Sequence, residues 1–583
     1  MVNLKQIIMS VVTYEKYGCQ IAYFKEYLLT FPWMFSDHAL IRLEKLSKYF
    51  ISGNKVDFLS PFSFLISNHL DITNDANPRI GAITLIDLLL KEDPLYNSSQ
   101  IFKDFEDGQK SKIGPYSIRV PFRDFVEKGP CEYYNQIPDS SYSFDELVLQ
   151  EAIKSVSSIL PEHSVQAESL DEVFNNSDKT TQWGMPYMYK GNDILPEGGI
   201  AANLYLELAK QDLARKKLTW YPVVMFMRTQ PSGSNIPKQR LTFGVGHSIT
   251  LLESMLQSAV LKALKFKPQF SENLSQQATD IYISNLFRQA KALDINIIGF
   301  DASGYDKSLN ARLIRGAFDC IKRWLATDWA WLVDEVQEYL IHCDLITPIG
   351  IFVGKNRGIP SGMAFTNLID SVIQFILHEY VRIKMNVAKE ICPIPTFQGD
   401  DGVWAIPGLT SKLLQKFMSE FLIQVNPEKV SCSKDYVTFC QRLYIHDYMI
   451  DGYNVGIRSA YRTINAIVSY ERRRNKDWTM AHDSVRCIMQ LVELRNNPVH
   501  DKLVFSLCHC DAKIGLGTSF PGGIRGLMKA VGGIEGYLEA SSDSSWNKDK
   551  VRKLSRRMYQ LSTFRILEKI LLDRLDLEKT GMV

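Results

Sequence analysis

The segment 293–301 (LDINIIGFD) is a short apolar run that ends on a carboxylate. A second run, 396–406 (TFQGDDGVWAI), is split by Gly399-Asp400-Asp401. Short runs rich in branched and aromatic residues read as buried strands. Gly and Asp favour turns, so the second run reads strand–turn–strand. A fold with this pattern must bring carboxylates to the rim of a small sheet, where an unpartnered buried charge is costly. A divalent cation shared between the two segments removes that objection. Magnesium prefers oxygen ligands and keeps waters and phosphate oxygens in its shell. Asp301 and Asp400 are therefore candidate metal ligands, with Asp401 auxiliary. Two ions in such a site suit phosphoryl transfer, because they stabilise both the attacking and the leaving oxygen. Alone, a Gly-Asp-Asp is most often a hairpin turn. Specificity comes from the order of the pieces, their apolar flanks and the loop Ser361-Gly362 between them, with Thr366 and Asn367 behind it.

Composition sets bounds. With 45% hydrophobic and 23% charged residues, the chain has the make-up of a globular protein. Its 583 residues could hold several domains. No apolar run approaches the length of a membrane span, so no membrane partner is expected. The N-terminus lacks a small-residue cleavage site, so no signal peptide is expected. The ten cysteines show no C-x-x-C spacing, which argues against a zinc ribbon or a disulfide framework. Cys508-His509-Cys510-Asp511 lies in an apolar stretch and reads as core. The net charge of +2 hides a gradient: residues 461–583 hold 21 Lys+Arg against 14 Asp+Glu. A basic C-terminal fifth suits a phosphate backbone, although on charge alone a solvated helical surface is the better explanation.

Along the chain, 61–290 mixes helices with short strands, and 309–345 reads as helical. A long helix is expected over about 363–386, and another over 411–424, stopped by Asn426-Pro427. Short strands follow over 436–457, then mostly helix. The stretch Gly515–Gly536 lacks the G-K-[ST] of a phosphate loop and reads as a mobile loop. The order is α+β, a small sheet carrying carboxylates with helix-rich material on both sides.

FDASGYDKSLN, RGIPSGMAFTNLIDS and FQGDDGVW together resemble motifs A, B and C of viral RNA-dependent RNA polymerases. The Ser-Gly…Phe-Thr-Asn…Ile-Asp-Ser form is most similar to enzymes of bisegmented double-stranded RNA viruses of the partitivirus and picobirnavirus kind. The resemblance implies a right-hand polymerase of fingers, palm and thumb, with a small antiparallel palm sheet and an encircled, closed hand. It implies an N-terminal extension (1–60), mainly fingers with part of the palm (61–290), and motif A of the palm (291–314). A fingers insertion (315–355), palm motifs B to E (356–460), and thumb with tail (461–583) would follow.

The resemblance also assigns residues. Asp301, Asp400 and Asp401 match the metal-binding aspartates, for two Mg²⁺ with Mn²⁺ as the alternative. Asp306 matches the position that senses ribose, and a carboxylate there can accept a hydrogen bond from a 2′-hydroxyl. Ser361 and Gly362 match the flexible loop ahead of the motif B helix. Thr366 and Asn367 would reach the nucleotide or Asp306. Many single-stranded RNA virus enzymes carry Asn nine positions after the serine, whereas this chain has Asp370; Asn367 with Asp306 is the expected pair for ribose recognition, and Asp370 is a further candidate. Arg228, Lys238 and Arg240 resemble motif F, whose cations meet the triphosphate. Thr181, Gly184 and Pro186 belong to a loop resembling motif G on the template path. Lys429 resembles the motif D general acid, or is an exposed helix-end lysine. Arg442 resembles motif E, a hairpin at the nascent 3′ end.

The implied reaction is template-directed RNA synthesis from NTPs, with RNA template and nascent RNA as partners. Viral capsid protein is a further expected partner, and the virion interior and host cytoplasm the expected places. A reverse transcriptase or other palm-type polymerase, or a catalytically silent RNA-binding scaffold, is the alternative. Asp306 and the Ser361-Gly362 loop argue against the reverse transcriptase, and the intact carboxylate set argues against the scaffold.

Overall fold

The computed structural model describes residues 11–14, 18–53, 57–72, 77–116, 119–231, 233, 238–272, 274–425, 430–511, 513–533 and 563–570. Among the described residues, three sheets of three or more strands organise it. A six-stranded sheet contains β1 (Val11–Tyr14), β2 (Cys19–Ala22), β3 (Val223–Gln230) and β4 (Lys238–Gly244). The carboxylates stand on a four-stranded antiparallel sheet that includes β5 (Ile297–Phe300). β6 (Leu345–Thr347) and β7 (Gly350–Val353) complete the first sheet, in the order β1-β2-β7-β6-β3-β4. β8 (Thr396–Gln398), β9 (Asp401–Trp404) and β10 (Ser431–Ser433) complete the second, in the order β10-β5-β9-β8. β11 (Tyr436–Phe439) and β12 (Arg442–Ile445) pair antiparallel beside it.

All four residues of β5 are buried because the sheet is covered on both faces. Side chains alternate along a strand. Ile298, Phe300 and Trp404 enter the main core, while Ile297 and Val403 pack on the Gln276–Ala292 helix from the other side. Phe300 and Trp404 stack with centroids 5.1 Å apart.

Five helices position the site: α1 (His247–Leu264), α2 (Ala330–His342), α3 (Thr366–Lys384), α4 (Ala460–Val468) and α5 (Met480–Glu493). α3 is buried over nearly its whole length and lies against β8 and β9.

Three sequence expectations are corrected. Residues 61–116 do not belong with the following segment. Phe62, Ile66, Leu85 and Phe102 share one core with Leu443, Ile464, Ile488 and Leu503, so this N-terminal block joins the C-terminal helical body. Within the expected N-terminal extension, β2 is an integral strand, paired with β7. Gly515–Gly536 is not a loose loop in its described part. Gly523–Ala530 is a helix whose Ile524, Leu527 and Met528 recur at helical spacing and are buried.

Candidate active site

β5 delivers Asp301 at its end. Its last pair is Phe300 with Gly402, one residue before the point where continued register sets Asp301 opposite Asp401. β8 and β9 are joined by Gly399-Asp400 across the Gln398–Asp401 pair, with Gly399 at φ +61°. α3 holds this turn from behind. Ser371 Oγ accepts the Gly399 N–H at 2.8 Å, and the Gln374 side-chain amide donates to the Asp400 carbonyl. Asp301, Asp400 and Asp401 all line one cavity of about 1590 Å³. That is larger than a typical small-molecule pocket of roughly 300–1,000 Å³.

The three carboxylates do not form a preassembled cage. Among the described residues, no set of three acidic, His or Cys side chains is close enough to hold an ion unaided. Like charges gain nothing by converging without a cation. An all-oxygen donor set on an open wall fits magnesium, which takes one or two carboxylates and fills its shell with water and phosphate oxygens.

Asp306 lines the same cavity. Burial pushes its carboxyl up to about 6; Asp400 adds to the rise and Arg240 opposes it. Ser361, Gly362, Thr181, Arg228, Lys238 and Arg240 also face the cavity. Arg228 and Arg240 are direct cross-strand partners in the β3–β4 hairpin, and Lys238 pairs with Gln230 on the same face. Arg228 Nε is 3.1 Å from Glu471.

Other expected contacts fall elsewhere. The Thr366 hydroxyl donates to the carbonyls of Pro360 and Met363 at the start of α3, tying the helix start to the loop before it. Asn367 sits against the Gly399 turn, where its Oδ1 would lie 2.4 Å from an added Cβ. Neither lines the cavity. Asp370 is buried behind it, with Oδ1 unpartnered and its carboxyl pushed well above the usual range by burial and by Asp306. Gly184 and Pro186 are buried under the cavity wall, where Trp183 stacks on His247 at 3.7 Å. Arg442 is buried and ion-paired with Glu493, away from the cavity. Its neighbour Gln441, at φ +62° in the two-residue β11–β12 turn, takes the cavity position instead. Lys429 lies outside the described residues.

The sequence reading missed several lining residues. Arg462 on α4, close enough to feel the charge of Asp401, and Arg472 beyond it come from the C-terminal body. Lys112 and Tyr116 come from the N-terminal block, and Arg119 from the segment that follows it. Only the C-terminal charge gradient pointed toward any of them.

This architecture is similar to the crystal structure of the RNA-dependent RNA polymerase of a human picobirnavirus. The TM-score is 0.72 at 18% identity, covering 90% of this chain and 96% of that one. In sequence, the chain is 23% identical over 465 residues to a protein described as a potential RNA-dependent RNA polymerase of human picobirnavirus, covering 76% of this chain and 84% of that protein. It is 24% identical over 343 residues to the RNA-directed RNA polymerase of Cryptosporidium parvum virus 1, covering 57% of this chain and 63% of that protein. The family model for viral RNA-dependent RNA polymerase matches residues 115–497, more than half of the chain. The chain belongs to the viral RNA-dependent RNA polymerases and performs RNA-templated RNA synthesis.

Proposed function

We propose that Asp301 and Asp400, with Asp401 beside them, are the metal ligands of nucleotide addition by this polymerase. The reaction is attack of an RNA 3′-hydroxyl on the α-phosphate of an NTP, with release of pyrophosphate. The supporting observation is one cavity that gathers these carboxylates, Asp306 and the cations of the β3–β4 hairpin. Divalent ions, which the family generally uses, supply charge neutralisation and an acidified hydroxyl when bound; we assign two Mg²⁺, with Mn²⁺ as the alternative.

Arg228, Lys238 and Arg240 orient the triphosphate and offset its charge. Asp306 accepts from the 2′-hydroxyl, which separates ribose from deoxyribose. Lys429 protonates the leaving pyrophosphate, a role that rests on its sequence position. Arg462, Arg472 and Thr181 hold the template–product backbone. Kinship with double-stranded RNA virus polymerases supports work in the virion interior and host cytoplasm, in contact with capsid protein. Co-purification with particles tests that placement. No helix among the described residues is long and apolar enough to cross a membrane.

Asp400→Ala is the direct test of the site. Radiolabelled nucleotide addition on single-stranded RNA should drop by at least ~10³-fold, while the melting transition and RNA affinity hold. Undiminished addition would remove the carboxylates from the chemistry.

A further inference from the structure

Two buried ionisable side chains near the Ser361–Gly362 loop take no part in the roles above. Lys355 is 1% exposed and directs its ammonium at three carbonyls. Two are Leu340 (2.6 Å) and Ile341 (3.1 Å) in the last turn of α2; the third is Gly358 (2.6 Å), where the loop begins. Carbonyls ending a helix carry partial negative charge, so a cation is favoured there. The loop then joins the Asp306 segment by backbone bonds. Gly358 N–H donates to Leu309 O at 2.7 Å, and Ile359 N–H donates to Asp306 O at 2.9 Å.

Glu253 on α1 is fully buried and stands at the other end of the loop. Its Oε2 accepts the Ala364 N–H at 3.0 Å, and its Oε1 has no partner. Between the two posts the loop lies on β4. Ser361 Oγ donates to Leu241 O at 3.1 Å, and Phe243 N–H donates to Ser361 O at 2.9 Å. Gly362 has φ +135°, and a Cβ there would sit 2.1 Å from Phe243 O.

Each group satisfies buried backbone, so its removal carries a stability cost of its own, and the test has to separate that cost from a role at the site. Both groups bond to backbone of one short loop, and that loop touches both Asp306 and the hairpin bearing Arg240.

We propose that Glu253 and Lys355 are positioning residues for nucleotide addition. They fix the two ends of the 358–364 loop so that Ser361 and Asp306 meet the incoming nucleotide in register. The inference rests on the proposed role of this loop and of Asp306 at the sugar.

The test measures kcat and KM for NTP, the preference for ribo- over deoxyribonucleotide, RNA affinity and melting temperature. Glu253→Leu is expected to lower kcat by ~10-fold or more, raise KM and weaken the ribose preference, because a small misplacement can cost up to ~10²-fold. RNA affinity should stay unchanged. Glu253→Gln keeps an oxygen for the Ala364 N–H and should stay within about 2-fold of the parent. Lys355→Met should resemble Glu253→Leu; if it does not fold, the Glu253 pair decides. A purely structural lesion lowers the active fraction, which scales kcat but moves neither KM nor sugar preference. Glu253→Leu with unchanged KM and sugar preference overturns the proposal, as does a Gln variant as impaired as Leu. Gly362→Ala separates the two levels. If it is impaired while Glu253→Leu is not, only this inference fails; if Gly362→Ala is itself unimpaired, the role given to the loop fails.

Discussion

At Gly399 the backbone is left-handed, and an added Cβ would meet Asn367 Oδ1. Gly399→Ala therefore combines backbone strain with a clash, expected to cost about 1–3 kcal/mol. It should also displace Asp400, so nucleotide addition falls further than the melting temperature alone accounts for. A second expectation concerns Glu253, whose carboxyl burial pushes up to about 8. A folded pKa above the ordinary 4.5 means the favourable protonated form is fully present below pH 4.5 and is lost as pH rises through 8. Glu253→Gln cannot ionise. Its stability relative to the parent should grow from pH 4.5 to 8, by up to about 1.4 kcal/mol per pH unit, and then level off. Denaturant titrations across that range measure it; a flat difference would refute it. At this scale the gathering of Asp301, Asp400 and Asp401 on one cavity was legible, because a charge ending an apolar strand has few explanations. Thr366, Asn367 and Arg442 were not, because their sequence position does not reveal which way a side chain turns at a helix start or a tight hairpin.

At the scale of elements, α4 is held by buried charge at both ends. Glu106, from the Gln100–Lys110 helix, accepts from the Ser459 hydroxyl (2.6 Å), the Ala460 N–H (2.9 Å) and the Asn497 amide (2.9 Å) at its N-terminus. Arg486 on α5 donates to the carbonyls of Ala466, Ile467 and Ser469 at its C-terminus. Both signs match the helix dipole. Glu106→Leu strands three buried donors and should destabilise by about 3 kcal/mol. Because α4 carries Arg462, RNA affinity should weaken as well; equilibrium unfolding and filter binding read the two effects. Strand and helix identities were largely legible from periodicity: 396–406 became β8 and β9, and 363–386 became α3 with trimmed ends. The link from Glu106 to Ser459 was not, since no local pattern announces a contact between residues more than 350 positions apart.

Across the whole molecule, the cavity is closed by pieces distant in sequence. Arg228 of the β3–β4 hairpin pairs with Glu471 of the C-terminal body, and residues 57–60 line up with 467–470 through the Phe58–Tyr470 and Ser60–Val468 backbone bonds. The Arg228–Glu471 pair is substantially exposed, so its worth is at most about 1 kcal/mol and falls with salt. On the role proposed for Arg228, Glu471 would compete with a triphosphate for the same guanidinium. Glu471→Gln should lower KM for NTP by about 2- to 5-fold at low salt, with the gain shrinking at high salt; steady-state kinetics at two ionic strengths checks this. The right-hand α+β architecture was legible through its motifs. The union of the N-terminal block with the C-terminal body was not, because the two share a core without sharing a motif.

α3 touches the carboxylate turn through Ser371 and Gln374 and begins where the Ser361–Gly362 segment ends. On the proposed roles, one helix backs the metal-binding carboxylates along its flank and follows the nucleotide-facing loop at its tip, so a change at either is expected to shift the other and to couple the speed of copying to its accuracy.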